Sequence, residues 1–388
     1  GMAFARAPRS GPPAAGFHAA DWFLLAAILV LPLGGAWLAG RDLSRVFRFP
    51  PPLAIPTGYL RFSWLALGGV VVALAAILAP WLGRRPRDSE PAANLAPGSG
   101  AGPRALPWWG WLALGWTGAW WWLGWTRWSW FAEVQQYTFF PLWLGFIVVL
   151  NALTRRRTGA CLMLRAPRSW LLLFGLSAGF WWIFEWLNRF VENWHYLGVA
   201  DFGPVAYGGN ASLCFSTVLP AVAGVAEWLG SHPAWVRLVA NGPRWRWLDR
   251  PRTGRALVAG GALALLLTGS HPRGAYPALW VAPLALVLGA AVWRGQPSVA
   301  SEVARGDWRR AATWIVAALI CGFFWELWNW RSLAQWIYTM PGVERWRVFQ
   351  MPIAGYAGYL PFGLECLLVA ERVPGVGSAV PLESRVAR

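Results

Sequence analysis

The chain has 388 residues, of which 57% are apolar and only 13% charged. A soluble domain carries about 25% charged residues, so the charge here is too sparse to coat the two or three soluble domains that a chain of this length would otherwise form. The net charge is +17 and all 34 basic residues are arginine, which excludes a lysine Schiff base or lysine nucleophile.

The apolar residues fall into blocks of bilayer-spanning length. In chain order the predicted helices are 19–40, 63–83, 108–126, 138–154, 169–188, 212–230, 256–270, 277–293, 311–329 and 352–370. The fold class expected is all-α, a polytopic integral membrane protein with about ten transmembrane helices. Arginine runs separate the blocks: Arg84, Arg85 and Arg87; Arg155 to Arg157; Arg244, Arg246, Arg250 and Arg252. This is the positive-inside distribution of a membrane protein rather than the basic face of a nucleic-acid binder. It predicts a multi-pass protein of a bacterial inner (plasma) membrane, with both termini cytoplasmic and no nucleic-acid partner. Two loops run against the rule: 41–61 has four arginines and 330–350 has three, yet ten spans place both outside. The first block is long and is followed by Arg41 and Asp42, so a cleavable signal peptide is not expected.

Residues 1–83 read as a two-helix membrane segment, and 84–106, rich in Pro, Ala, Gly and Ser, as a flexible cytoplasmic linker. Beyond it the chain repeats itself. FWWIFEWLNRFVENWHY in the fifth block is echoed by GFFWELWNWRSLAQWIY in the ninth. Glu185 and Glu326 are 141 positions apart, as are Asn188 and Asn329, and Leu219-Pro220 and Leu360-Pro361. Trp194 and Tyr196 match Trp336 and Tyr338 after a one-residue insertion. Residues 107–250 and 251–373 are therefore expected to be two four-helix membrane repeats, with 374–388 a cytoplasmic tail. An even number of spans between copies makes the repeats parallel, related by a pseudo-two-fold axis along the membrane normal.

Cys161, Cys214, Cys321 and Cys366, and the four histidines, are scattered. None has metal-ligand or redox spacing, so neither a metal nor a cofactor is expected, and the cysteines read as small buried hydrophobes. The chain has 17 acidic residues, and an ionisable group in hydrocarbon costs several kcal/mol unless it faces the protein interior or a wet cavity. Glu185 and Glu326, predicted in the outer leaflet, and Glu227 and Glu365, near the cytoplasmic ends of the following spans, are thus site candidates. The E-x-x-N spacing puts Asn188 and Asn329 one turn from the outer acids on the same helix face. A desolvated carboxyl beside an amide can serve as a general acid. Equally, each pair can be a satisfied hydrogen bond that fixes helix packing, and Glu227 and Glu365 can be interfacial side chains. Trp181, Trp182, Trp325 and Trp328 lie within a turn of the Glu–Asn pairs and can wall a cavity for a cationic intermediate or a flat ligand. Most of the 33 tryptophans need no more than packing and an interfacial belt. Pro220 and Pro361 are expected to kink their helices and free carbonyls. Gly355, Tyr356, Gly358 and Tyr359, just ahead of Pro361, mark a loose helix start that allows close approach by a neighbour or ligand.

At FFWELWN, QWIY and FQMPIAGYAGYLPFGLE, and at their first-copy equivalents, the chain resembles bacterial multi-span membrane proteins and, more distantly, the lycopene-cyclase type of membrane domain. That family shares tandem span repeats, a W-x-aromatic element and a proline followed by acid. The resemblance implies carotenoid-end cyclisation by protonation of a polyene, without metal or redox change. Residue by residue it touches Trp336, Pro361 and Glu365, with weaker echoes at Trp194, Pro220 and Glu227. The family has its acid two residues after the proline, commonly followed by a second; here Glu365 stands alone, four after Pro361.

The function expected is an aromatic, acid-containing intramembrane cavity for a membrane lipid or isoprenoid, with Glu185 or Glu326 as acid and Asn188 and Asn329 as positioners. Trp182, Trp325, Trp328, Pro220, Pro361, Tyr356, Glu365 and Glu227 are the expected ligand-binding residues. A proton- or ion-coupled transporter using the two acid layers as stations, and a structural subunit of a membrane complex, are the competing expectations. Nothing in the sequence specifies an oligomeric state.

Overall fold

All ten predicted segments are helical in the computed structural model, which describes residues 16–53, 55, 61–82 and 104–376. Of the expected linker, 84–103 lies outside the described residues, as does 377–388 of the expected tail. The first helices are α1 (Ala19–Leu38), α2 (Trp64–Leu82), α3 (Trp108–Trp125) and α4 (Phe139–Thr158). A short α5 (Leu162–Arg165) then leads into α6 (Pro167–Val191) and strand β1 (Trp194–Leu197). Next come α7 (Pro204–Phe215), α8 (Val218–Gly230), α9 (Pro233–Ala240), α10 (Pro251–Ser270), α11 (Pro272–Ala275) and α12 (Ala278–Trp293). The chain continues through α13 (Val299–Arg305), α14 (Arg309–Asn329), strands β2 (Gln335–Tyr338), β3 (Arg347–Val348) and β4 (Met351–Pro352), and α15 (Tyr359–Ala370).

Among the described residues, eight helical runs are long and apolar enough to cross a membrane: α1, α2, α4, α6, Pro204–Gly230, α10, α14 and Ile353–Ala370. The molecule is an all-α, multi-pass membrane protein. The other two predicted spans fall short for different reasons. Helix α3 is long enough, but eight of its 18 residues are Trp, whose indole N–H makes it an interfacial rather than an oily side chain. Helix α12 has 16 residues, short of the roughly 20 that a bilayer core requires.

Helix α8 forms the centre, packed against α4, α6, α14 and α15. Small residues make this possible: Ala221, Ala223, Gly224 and Ala226 are all buried, and without a hydrophobic drive between helices in lipid it is close approach that holds them together. Neither repeat-matched proline kinks a helix from within. Pro220 and Pro361 each stand third in their helices, inside the first turn where a missing N–H costs nothing; the break lies just upstream. Between α7 and α8 that break exposes backbone groups in a buried place, and Ser177 on α6 satisfies both. Its hydroxyl donates to the Phe215 carbonyl at 2.6 Å and accepts from Leu219 N–H at 2.9 Å.

The N-terminal pair is attached unequally. Helix α1 crosses α10 through reciprocal glycines: a Cβ on Gly35 would sit 1.9 Å from the Leu266 carbonyl oxygen, and one on Gly269 would sit 1.9 Å from that of Pro32. Trp186 of α6 also donates to the Leu29 carbonyl at 3.0 Å. Helix α2, by contrast, has no buried residue. One end of the bundle is knit by ion pairs, Arg165–Glu227, Arg310 with Glu302 and Glu371, and Arg372–Asp21. The other end carries the strands with Glu185 and Glu326.

Substituting Ala for Gly35 or Gly269 drives a methyl group into backbone oxygen, which cannot rotate away. Each variant is expected to lose about 2 kcal/mol or more, seen as a lower unfolding midpoint in detergent. Gly68→Ala, with nothing within 4 Å of its added Cβ, should leave the midpoint unchanged or slightly raised.

Candidate active site: two carboxyls behind an aromatic wall

The site is built from two copies of one local arrangement. Helix α6 ends a few residues after Glu185, and the chain reverses through Glu192, whose φ of 51° lies in the left-handed region, into β1. Asn188 does not bond Glu185. Its Oδ1 accepts from the backbone N–H of Asn193 at 2.7 Å and its Nδ2 donates to the Trp194 carbonyl at 2.9 Å. Asn329 does the same beyond α14: Oδ1 accepts from Trp336 N–H and Nδ2 donates to the Trp336 carbonyl, both at 2.8 Å. The extra residue in the second turn shifts the gripped N–H by one position, from Asn193 to Trp336, while the gripped carbonyl stays that of the matching tryptophan. Each Asn therefore anchors a strand to its helix.

A strand points alternate residues to one face, so Trp194 and Tyr196 face the same way, as do Trp336 and Tyr338. In the first copy that face meets Glu185, whose Oε1 accepts from Tyr196 Oη at 2.6 Å, Trp194 Nε1 at 2.9 Å and Trp181 Nε1 at 3.0 Å. In the second it meets Glu326, whose Oε1 accepts from Tyr338 Oη at 2.5 Å, Trp336 Nε1 at 3.3 Å and Tyr359 Oη at 3.4 Å. Trp336 Nε1 also donates to the Tyr338 hydroxyl at 2.8 Å. Glu326 is wholly buried, and its Oε2 has no partner among the described residues.

The two strands pair with each other. β1 and β2 are antiparallel, with Trp194 opposite Tyr338, His195 opposite Ile337 and Tyr196 opposite Trp336. This register relates the two Trp–Tyr units by a local two-fold centred on the His195–Ile337 pair. It brings both aromatic faces onto one cavity of about 130 Å³, walled by Trp181, Trp194, Trp280, Trp325 and Trp336, by Tyr196, Tyr207, Tyr338 and Tyr359, and by Phe139, Phe202, Phe215 and Phe362. A water needs about 10–15 Å³ on this scale, so the space suits a ligand of several heavy atoms or the end of a longer chain. The carboxyls are not part of the wall; the tyrosines and tryptophans bonded to them are. A second, smaller cavity of about 70 Å³ touches Glu185 from its other side and shares Trp194, Tyr196, Val199 and Tyr207 with the first.

The remaining expected residues divide. Trp325 lines the aromatic cavity, its ring stacked 6.0 Å from Tyr359. Trp182 bonds Ser212 and packs on Phe215; Trp328 is enclosed by Trp143, Phe146 and Trp121; neither lines the cavity. Tyr356 donates to the Val348 carbonyl and packs on Tyr359, one residue beyond the wall at Gly355. Pro220 and Pro361 place the wall residues Val218, Tyr359 and Phe362 without lining it themselves. Glu227 is fully engaged, by Arg165 at 2.8 Å and Leu162 N–H at 2.9 Å. Glu365 is buried with neither oxygen hydrogen-bonded among the described residues, away from the cavity wall. The pocket's own tyrosines, Tyr196, Tyr207, Tyr338 and Tyr359, and Trp280 from α12 were not among the expected site residues. For two of them the signal was in view: W-x-Y after each E-x-x-N, read with a strand's period of two, places Trp and Tyr on the face that the acid must occupy. Compared with protein-family models, with curated proteins and with solved structures, the chain matches none.

The strand pair gives a pH-dependent stability. His195 is buried beside Thr339, 3.0 Å from Nε2 to Oγ1, and burial lowers its pKa, outweighing the hydrogen bond to the Glu192 carbonyl that raises it. The unfolded state thus binds the proton more readily. The contribution of neutral His195 is complete above about pH 6.5, the unfolded value, and is lost as pH falls through the lower folded value. The unfolding midpoint should drop on acidification from pH 7 to pH 5, and His195→Gln should flatten that slope. Asn329→Leu, leaving two partly buried backbone groups of Trp336 unpaired, should cost about 1–3 kcal/mol by the same measurement.

Proposed function

We propose that the protein binds an apolar ligand, an isoprenoid or other membrane lipid, in the aromatic cavity and transforms it by proton donation from the Glu326–Tyr338 pair. The observation that carries this is the linkage of a buried carboxyl, through a 2.5 Å hydrogen bond, to a tyrosine hydroxyl on the wall of an almost wholly apolar cavity. When Glu326 is protonated this bond reverses, its O–H donating to the Tyr338 oxygen. The tyrosine's own proton can then move to a ligand double bond as the carboxyl proton replaces it, and the carboxylate takes back, through the same tyrosine, the proton that the cation sheds. The surrounding indoles and phenyls then offer their negative π faces to the carbocation. Glu185 with Tyr196 is the second such pair, and Asn188 and Asn329 position the strands that carry the tyrosines.

In this proposal 107–250 and 251–373 are parallel repeats, α3 and α12 complete ten spans within a bacterial inner membrane, and both termini face the cytoplasm. Support comes from the hold of Asn188 and Asn329 on the carbonyls of the matching Trp194 and Trp336, the similar carboxylate environments and the two-fold register of β1 with β2. The distant likeness to lycopene-cyclase membrane domains agrees in its W-x-aromatic element. Its acid, Glu365, sits off the cavity, so the acid role moves to Glu326. Transport through two acid layers is disfavoured by Glu227, whose ion pair and backbone bond leave it no free oxygen.

The test uses the full chain purified in detergent. An acyclic polyene such as lycopene should quench tryptophan emission on binding and be converted to a product of the same mass, resolved by chromatography. Glu326→Gln and Tyr338→Phe should bind it unchanged but turn it over at least about 100-fold more slowly. Unaltered turnover in Glu326→Gln and in Glu185→Gln would overturn the acid assignment.

A further inference from the structure

The smaller cavity differs in kind from the aromatic one. It is lined by Arg45, from the α1–α2 loop, and Arg189, near the end of α6, together with Glu185, Glu192, Asn188 and His195. The loop is held over it by Arg189 itself, whose Nη1 donates to the Arg48 carbonyl at 2.7 Å. Arg41 lies within electrostatic reach of Glu192, Arg45 and Arg273, and Asp42 within reach of Arg45 and Arg48. Two arginines and two carboxyls thus line the cavity, with Arg41, Arg48 and Asp42 on the loop above it. Arg45 forms no ion pair among the described residues. Glu185 turns Oε1 to Trp181, Trp194 and Tyr196, so its charge is already met from the wall side.

The same feature explains a departure from the positive-inside rule. Of the two outer loops rich in arginine, 330–350 uses its arginines within the protein. Arg331 lies over the rings of Trp125 and Trp330, Arg345 over Phe62 and Trp346, and Arg347 is paired with Glu344. Arg45 in 41–61 is spent on no such contact; it borders a cavity.

Resting on the proposal of an isoprenoid ligand, we infer that this cavity binds the phosphate or diphosphate group of a polyprenyl phosphate whose hydrocarbon tail lies in the aromatic cavity. Trp194, Tyr196, Val199 and Tyr207 belong to both walls, so headgroup and tail meet at the strand that carries the acid-linked tyrosine. Guanidinium groups suit the task because their fork matches phosphate oxygens. The α1–α2 segment, which has no counterpart in the second half of the chain, supplies the headgroup site to one half only.

Three probes on the detergent-solubilised full chain test this: geranylgeranyl diphosphate, geranylgeraniol and inorganic pyrophosphate, with binding followed by tryptophan quenching. The diphosphate lipid should bind at least about tenfold tighter than the alcohol, as one added charge-assisted contact provides. Arg45→Gln and Arg189→Gln should each erase most of that preference while leaving geranylgeraniol affinity unchanged. Arg45 is an exposed loop residue, so its variant should fold even if Arg189→Gln does not. Equal affinity of the two lipids, or a preference that survives both substitutions, would overturn the headgroup site while leaving the aromatic cavity's role intact. Binding of neither lipid would remove the isoprenoid proposal and this inference with it. Displacement of the diphosphate lipid by pyrophosphate at similar concentration, with geranylgeraniol untouched, would make the ligand a soluble phosphate and overturn its lipid source.

Discussion

The antiparallel pairing of two four-residue strands is the constraint on which the rest of this molecule depends. Polar backbone enclosed among apolar helices must find partners within the protein, and here the partners of each segment are the other segment and one asparagine side chain. Asn188 and Asn329 each satisfy a donor and an acceptor of the incoming strand, which fixes where the strand begins. Pairing then fixes the register, and a slip of one residue would turn every tryptophan and tyrosine to the opposite face. The register puts two Trp–Tyr units against two glutamates and one cavity between them. Nothing in either half alone would close that space.

The helices beneath are arranged to hold the strands still. Helix α8 brings α6 and α14 within reach of each other through a surface of alanine and glycine, and Ser177 repairs the backbone where α7 gives way to α8. Burial of Glu185 and Glu326 is tolerable because each carboxyl oxygen that faces the wall receives hydrogen bonds from indole or phenol. These donors are held by aromatic packing rather than by charge, which keeps the cavity apolar while leaving the acid one hydrogen bond away. In the function proposed above, the selection of an apolar ligand and the access to a proton would follow from the same side chains.

The surroundings of Glu185 and Glu326 are alike in these bonds and unlike at their margins. Around Glu326 there is aromatic wall; around Glu185 there is also a polar recess roofed by the α1–α2 loop. An N-terminal pair of helices that packs through α1 and leaves α2 facing outward is costly to keep as mere ballast. Its tight glycine crossing with α10 and the bond from Arg189 to Arg48 hold the loop where it meets the site.

Composition and pattern alone determined the membrane class, all ten helical segments and the four buried glutamates, because lipid imposes length and apolarity on any helix that crosses it and makes each acid conspicuous. The matching E-x-x-N and W-x-Y spacings also showed which residues would recur together. What they did not show was that Asn188 and Asn329 serve the strands rather than the acids, that Glu227 is consumed by Arg165, or that Trp280 and Tyr359 complete the wall. The first turns on how the chain reverses within five to seven residues of each asparagine; the others depend on atoms that meet across 33 residues or more, decided only when the helices pack. A repeated motif fixes the local geometry of each copy. Whether two copies face one another, and what lies between them, is set by the tertiary contacts that bring β1 alongside β2.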